Sequence, residues 1–269
     1  MNPGARVIDP MIDGRPSSVA LMVSPHLDDA VISCGLAIQA LLSAGWAVFV
    51  ATVFTEAPNG PISQIARRFN TGSDGDAVRG LALRRSEDRA ALARLGAQPL
   101  HLGFLDASFR KRADGRWLCS SYEDICSLAP EIEPALCSRV RVAVERALAS
   151  TGASIVIGPA AVGGHVDHRL VQTAVAAVAV TRGERTLFRW FEDLPYAFDE
   201  PSDSIGIPFC RGSKSAVAAK LEAMELYSSQ LHILGEDSDS EGWRRHFRTH
   251  AYDPAAADFV ERVREVPVS

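Results

Sequence analysis

The chain has 269 residues, of which 47% are hydrophobic and 23% charged, a composition typical of globular proteins that excludes collagen-like, coiled-coil and disordered chains. Its net charge is -5 and its longest basic run is Arg110-Lys111-Arg112, so a protein that binds nucleic acid through the phosphate backbone is also excluded. The sequence has neither a run of about 18 apolar residues nor a signal-peptide core, and its five cysteines form no CxxC pair. We therefore expect a cytoplasmic protein with no membrane span that acts on a small molecule, and the length allows one or two domains.

Short apolar runs alternate with stretches of helical periodicity along the chain. In chain order, the patterns predict a strand at 19–23, a helix at 30–42, a strand at 47–53, a helix at 81–95, a strand at 99–102, a helix at 134–150, a strand at 154–158, a helix at 167–181, a strand at 186–190, a helix at 213–229 and a short helix at 255–264. This alternation predicts an α/β fold with a mostly parallel sheet and helices on both faces.

Three long segments lack clear periodicity, namely 57–80, 106–133 and 192–212. Long irregular segments are uncommon in compact domains and often surround functional sites. Since ligands of such folds gather at the carboxyl ends of the strands, we expect these active-site loops to form the walls of a cleft there. The acidic stretch 235–242 is predicted to be an exposed loop.

Two polar motifs follow predicted strands directly. Ser24-Pro25-His26-Leu27-Asp28-Asp29 follows the first strand, and Gly163-Gly164-His165-Val166-Asp167-His168 follows the strand at 154–158. Together they supply three histidines and three aspartates. A catalytic zinc site needs only three protein ligands, so these groups suffice for a metal and leave a carboxylate for catalysis. The alternative is that Asp28 and Asp167 only cap the helices that follow them.

The two motifs resemble those of the PIG-L/LmbE-like family of zinc-dependent N-acetylglucosaminyl deacetylases. The resemblance implies a Rossmann-like fold in a single domain over 1–269, with a core at about 19–230. Weaker matches are the Arg84 to Glu87 helix segment, the Leu102 to Asp106 segment and Lys220 followed by Ser229-Gln230. The sequence departs from the common first motif, His-Pro-Asp-Asp-Glu, because Leu27 replaces the proline and Ala30 replaces the glutamate.

The resemblance implies a role for each residue of the two motifs. His26, Asp29 and His168 would bind zinc, and Asp28 would be the general base that activates the zinc-bound water. His165 would stabilise or protonate the tetrahedral intermediate, oriented by Asp167. The implied enzyme is a hydrolase that removes an N-acetyl or other N-acyl group from an amino sugar or sugar conjugate. The same ligands would also accept Fe²⁺ or Co²⁺.

An N-acetylated sugar or glycoconjugate needs polar partners besides the metal, because the metal contacts only the amide. We expect Arg84 and Asp106 to bind the sugar, with Glu56 as a further candidate. The sequence leaves open whether the protein forms a homo-oligomer.

Three other interpretations compete with this one. His26, Asp28 and His168 would also fit the facial triad of a non-haem Fe(II) oxygenase, although such triads sit on jelly-roll sheets rather than on alternating strands and helices. A non-catalytic metal-binding or sugar-binding relative would keep the fold without the activity. A Rossmann nucleotide-binding enzyme is excluded because the first strand is not followed by the glycine motif G-x-G-x-x-G.

Overall fold

The computed structural model describes residues 4–9, 11–12, 18–71, 75–199, 206–231, 242–255 and 257–265. Within these residues the strands form one mixed sheet in the order β1-β7-β9-β6-β5-β2-β3-β4, with β8 beside β9. The strands are β1 Ala5–Val7, β2 Val19–Ser24, β3 Ala47–Phe54, β4 Gln98–Phe104, β5 Ile155–Pro159, β6 Leu187–Phe191, β7 Ile207–Gly212, β8 Tyr252–Asp253 and β9 Asp258–Glu265. Strands β2 to β6 pair in parallel, which confirms the predicted mostly parallel sheet, while β1, β7 and β9 extend it with antiparallel pairs.

Helices cover both faces of the sheet, as predicted. They are α1 Asp29–Ser43, α2 Gln64–Phe69, α3 Ala77–Leu95, α4 Tyr122–Ser127, α5 Pro134–Thr151, α6 Val166–Arg182, α7 Lys214–Met224 and α8 Gly242–Ala251. Helices α1, α3 and α7 pack on one face, and α5 and α6 pack on the other. Strand β2 shows the two-residue period that this requires: Ala20 and Met22 face the first layer, whereas Leu21 and Val23 face the second. No helix among the described residues is both long and apolar enough to cross a membrane.

The strand order places the two sequence motifs side by side. From β2 the chain runs outward to β3 and β4, and then crosses back so that β5 pairs with the other edge of β2. The parallel register joins Ala20 to Ile155 and Met22 to Ile157. The two strands therefore end at the same edge, at the point where the strand order reverses, which is where open α/β sheets bind their ligands.

The structure corrects the predicted elements in four places. Segment 255–264 is not a helix but mostly strand β9, because it pairs antiparallel with both β6 and β7. Helix α8, directly before it, was not predicted, and α7 ends at Met224 rather than at 229. The three irregular segments contain α2, α4 and β7. Residues 235–241 of the predicted acidic loop lie outside the described residues.

Helix α1, which begins at the first motif, is joined to β9 by a buried carboxylate. Cys34 departs from helical geometry, with φ -126° and ψ 17°, and kinks the helix there. Just beyond the kink, the backbone N–H groups of Leu36 and Ala37 donate to the carboxylate of Glu261, at 2.9 and 2.8 Å. Lys220 Nζ donates to the same carboxylate at 2.7 Å. Glu261 therefore satisfies two backbone donors and neutralises one buried cation.

We predict that Glu261→Gln lowers the free energy of unfolding by about 3–5 kcal/mol, because it leaves Lys220 buried without a counter-charge. The double variant Lys220→Met/Glu261→Gln should recover most of that loss, since no unpaired charge remains. Denaturant unfolding of the three proteins measures both values. A loss in the single variant no larger than that from a surface ion pair, about 1 kcal/mol, would contradict the prediction.

Candidate active site

A cleft that is open to solvent lies where β2 and β5 end. It is lined by His26, Asp28 and Asp29 of the first motif and by His165 and His168 of the second. The three irregular segments contribute Phe69, Asp106 and Tyr196, among others, to its lining. The prediction that these segments form the walls of a cleft is therefore confirmed.

His26, Asp29 and His168 converge at this cleft with one possible ligand atom each, all within 4.8 Å of one another. Asp29 Oδ2 lies 3.2 Å from His26 Nδ1 and 3.4 Å from His168 Nε2. A tetrahedral zinc ion with bonds of about 2.05 Å holds its ligand atoms about 3.3 Å apart, so the donor types and spacing fit such an ion. A second group, His26, His165 and Asp167, meets the same distance limit. Its Asp167 carboxylate, however, also contacts Arg110 and a backbone N–H group.

Both histidines of the first group contact a carboxylate through their other ring nitrogen. His168 Nδ1 lies 2.6 Å from Asp193 Oδ1, and His26 Nε2 lies 3.2 Å from both Asp106 Oδ2 and Asp167 Oδ2. Carboxylates in this position fix the tautomer and the ring orientation of histidines that bind metals. Burial lowers the pKa of His26 and of His168, but the surrounding carboxylates outweigh it, and both pKa values stand above their usual range.

Asp28 and Asp29 are neighbours in sequence but have different surroundings. The Asp29 carboxylate accepts the backbone N–H of His26 at 2.8 Å. Asp28 occupies the N-cap position of α1, yet its side chain makes no capping hydrogen bond, so the interpretation of Asp28 as a helix cap is wrong. Its carboxylate lines the cleft, 3.6 Å from the Arg84 guanidinium. Burial raises the pKa of Asp28 to about 6 although Arg84 opposes the shift.

His165 and Asp167 do not interact as expected. The Asp167 carboxylate faces His26 and Arg110, and only the Asp167 backbone N–H reaches His165, donating to Nδ1 at 3.2 Å. The contact that would orient His165 is thus made by the Asp167 backbone N–H and not by its carboxylate, which contacts His26, Arg110 and the Ala107 N–H instead. Burial lowers the pKa of His165 to about 3, and the nearby His26 and His168 add to this effect.

The three residues expected to bind the sugar lie in different surroundings. Asp106 lines the cleft, beside His26. Arg84 also lines it, but it donates a short hydrogen bond to the Asn70 side chain and pairs with Asp28. Glu56 is exposed and is absent from the lining residues, because the chain carries it past the end of β3 towards Gly103. The structure therefore does not bring Glu56 to the site.

Several lining or supporting residues were not expected from the sequence, namely Asn70, Asp193, Tyr196 and Gln230. Asp193 and Tyr196 lie in an irregular segment just after β6, and the only signal available was their place after a parallel strand. Gln230 follows a turn whose Ser229 donates through Oγ and N to Glu87. That contact joins two of the weak sequence matches.

Comparison with known proteins identifies the family. The profile of the family described as PIG-L, GlcNAc-PI de-N-acetylase, matches residues 21–179. The chain belongs to the PIG-L family. This confirms the resemblance seen in the two motifs.

Several proteins and solved structures that are similar to this chain are deacetylases. The 2'-N-acetylparomamine deacetylase of Streptomyces fradiae is 35% identical over 226 residues, which are 78% of this chain and 72% of that protein. The zinc-inhibited form of a teicoplanin deacetylase is 31% identical with a TM-score of 0.78, covering 91% of this chain and 96% of that one. The A40926 pseudoaglycone deacetylase is 28% identical with a TM-score of 0.70, covering 95% of this chain and 100% of that one. The PIG-L fold thus extends over nearly the whole chain.

We predict that Asp193→Asn weakens metal binding about 10–100-fold, because the amide no longer fixes His168 as a carboxylate does. Competition with a chromophoric chelator measures the metal dissociation constant. Asp88→Asn is the matched control, since Asp88 is a buried carboxylate 2.7 Å from His101 Nε2, outside the metal group. Equal losses of metal affinity in the two variants would contradict the assignment of Asp193.

Proposed function

We propose that the protein is a single-domain, metal-dependent hydrolase of the cytoplasm that removes an N-acetyl, or other N-acyl, group from an amino sugar in a small glycoside or glycoconjugate. The observation that carries the proposal is the group His26, Asp29 and His168 at zinc-ligand spacing, with the Asp28 carboxylate beside it and unused as a helix cap. Relatives named for acetylated paromamine and teicoplanin support a sugar-bearing substrate.

We propose His26 Nδ1, Asp29 Oδ2 and His168 Nε2 as the metal ligands and Zn²⁺ as the metal, while Fe²⁺ and Co²⁺ suit the same donors. When bound, such an ion lowers the pKa of water and polarises the amide carbonyl. Asp106, Asp167 and Asp193 keep the two imidazoles oriented for this task.

Asp28 is the general base in this proposal. Its carboxylate faces the cleft, and its neighbour Arg84 is held in turn by Asn70. A base with a pKa of about 6 is largely deprotonated at neutral pH and still takes a proton from an attacking water readily. The protonated carboxyl group then supplies the proton that the leaving amine needs.

His165 acts as a hydrogen-bond donor to the acyl oxygen. Its Nδ1 accepts the Asp167 backbone N–H, so in the neutral imidazole the proton resides on Nε2. A neutral ring is consistent with the lowered pKa of His165. An N–H donor fixed beside the metal ligands stabilises the negative charge that develops on the acyl oxygen during attack.

Asp106 and Arg84 line the sugar-binding part of the cleft in this proposal, together with Asn70 and Gln230. Both residues also have partners within the protein: Arg84 contacts Asn70 and Asp28, and Asp106 contacts His26 and the Ser108 backbone N–H. Glu56 is not part of this wall.

The oxygenase alternative loses its support. It required a jelly-roll sheet and the ligands His26, Asp28 and His168, but the sheet is mostly parallel and the converging carboxylate belongs to Asp29. A non-catalytic relative remains distinguishable by experiment.

The direct test is acetate release from a panel of N-acetylated amino sugars, glycosides and glycopeptides. We expect stoichiometric acetate from at least one glycoside, loss of activity after chelation, and recovery on adding back one equivalent of Zn²⁺, Fe²⁺ or Co²⁺. The assay is repeated with excess Zn²⁺, because a related deacetylase has a zinc-inhibited form. A protein that binds one ion and the sugars but releases no acyl group from any of them would be the non-catalytic relative instead.

We predict that Asp28→Asn lowers kcat by about 10²–10⁴-fold and retains the metal, because the amide has the shape of the carboxylate but cannot accept the proton. Metal analysis and steady-state kinetics check both parts. The matched control is Asp76→Asn at the N-cap of α3, where the carboxylate does cap the helix through Val78 and Arg79. Near-normal kcat, or loss of the metal, in Asp28→Asn would exclude Asp28 as the base.

A further inference from the structure

Arg110 is a buried cation on one of the irregular segments that line the cleft. Its side chain is 8% exposed, and its Cζ lies 5.2 Å from the centre of the Phe54 ring. Nε donates to both oxygens of Glu133 at 3.0 Å, and one terminal nitrogen reaches Glu133 Oε2 at 2.8 Å. The other terminal nitrogen donates to the Leu105 carbonyl at 2.9 Å and lies 2.7 Å from Asp167 Oδ1. The guanidinium therefore joins two carboxylates.

The two carboxylates lie on different parts of the fold. Glu133 occupies the N-cap position of α5, but its side chain makes no capping bond and is used by Arg110 instead. Asp167 is completely buried at the start of α6, and its Oδ2 contacts the Ala107 backbone N–H at 2.9 Å and His26 Nε2 at 3.2 Å. Glu133, Arg110, Asp167 and His26 thus form a continuous chain of polar contacts that ends at a metal-binding imidazole.

The geometry points to Arg110 as a positioning residue of the metal site: by fixing the Asp167 carboxylate, it holds His26 in the orientation that presents Nδ1 to the metal. The inference rests on the metal site of the proposed function. It also connects metal binding to the segment between β4 and α5, because the same guanidinium holds Leu105 and Glu133 of that segment.

This role requires both the positive charge and the planar shape of the Arg110 guanidinium. A buried carboxylate such as Asp167 requires a cation to offset its desolvation, and a planar guanidinium can bind Glu133 with two nitrogens while a third contacts Asp167. A lysine supplies the charge but only a single flexible ammonium group. Arg110→Lys should therefore retain part of the function, whereas Arg110→Met should retain little.

If the contacts of Arg110 served stability alone, their removal would not change metal affinity. The chain offers a matched control for that case. Arg189 and Asp9 form another buried pair, with Arg189 Nε donating to Asp9 Oδ2 at 2.9 Å and side-chain exposures of 6% and 1%. Neither residue lines the cleft. Arg189→Met removes a comparable ion pair without touching the contacts of His26.

The experiment measures the dissociation constant for Zn²⁺ by chelator competition, and the thermal midpoint, for the wild type and for Arg110→Lys, Arg110→Met, Glu133→Gln and Arg189→Met. We expect Arg110→Met to weaken metal binding about 10–100-fold, as loss of a group that supports a metal ligand does, with smaller effects in Arg110→Lys and Glu133→Gln. Arg189→Met should lower the thermal midpoint and leave the metal dissociation constant unchanged. The visible spectrum of the Co²⁺ forms gives a second readout, since it reports ligand geometry directly.

The possible failures are distinct. A wild type that binds no stoichiometric metal would overturn the proposed function itself. A wild type that binds metal, with normal affinity in Arg110→Met, or with equal losses in Arg110→Met and Arg189→Met, would overturn only the role of Arg110. If Arg110→Met does not fold, normal metal affinity in both Arg110→Lys and Glu133→Gln would overturn that role in the same way.

Discussion

The parallel pairing of β2 with β5 is the constraint on which the site depends. Strands β3 and β4 and several helices separate the two strands along the chain, yet the register of Ala20 with Ile155 makes their carboxyl ends coincide. Each strand leads directly into a turn and a helix, so His26 and His168 are delivered to the same place from residues far apart in sequence. Any slip in this register would move a whole motif by one residue and turn its side chains to the other face. The close packing of Leu21, Met22 and Val156 on both faces of these strands therefore also fixes the positions of the proposed metal ligands.

Several charged side chains are buried at this edge of the sheet, and the surrounding structure stabilises their charges. Asp29, Asp167 and Asp193 are buried next to two histidines, an arrangement that would be costly unless each carboxylate had donors or cations of its own. Asp193 also accepts the Val162 backbone N–H at 3.0 Å, and Asp167 accepts that of Ala107. Backbone N–H groups of the turn after β5 and of the irregular segment 106–133 are thus part of the electrostatic support.

How well the sequence predicts each part of the structure depends on whether that part is determined by a local pattern or by contacts between residues far apart in the chain. Buried parallel strands have continuous apolar runs, so β2, β3 and β5 were found within about one residue of their bounds, and the motifs after them gave the metal group. Strand β9 was mistaken for a helix because its identity depends on pairing with β6 and β7, which no local pattern encodes. The contacts of Asp193 and Arg110 could not be predicted for the same reason. Asp193 contacts His168, which lies 25 residues away in sequence, and Arg110 contacts Asp167, which lies 57 residues away. Glu56 shows the opposite error, because its position after a strand was correct while its side chain is not among those that line the cleft.

Asp28 and Asp29 show how one turn can place two side chains of the same type in different environments. Successive residues at the start of a helix point about 100° apart, so the turn that aims Asp29 at His26 and His168 must aim Asp28 elsewhere. Both carboxyl groups are buried, and burial alone would raise both pKa values. The two imidazoles, together with the His26 backbone N–H, reverse that effect for Asp29 and hold its pKa well below the usual range. For Asp28, the charges of Arg84 and His26 oppose burial only in part, and its pKa rises to about 6. The different surroundings thus separate the pKa values of two neighbouring carboxyl groups, which suits the proposed roles of Asp29 as a metal ligand and Asp28 as a base.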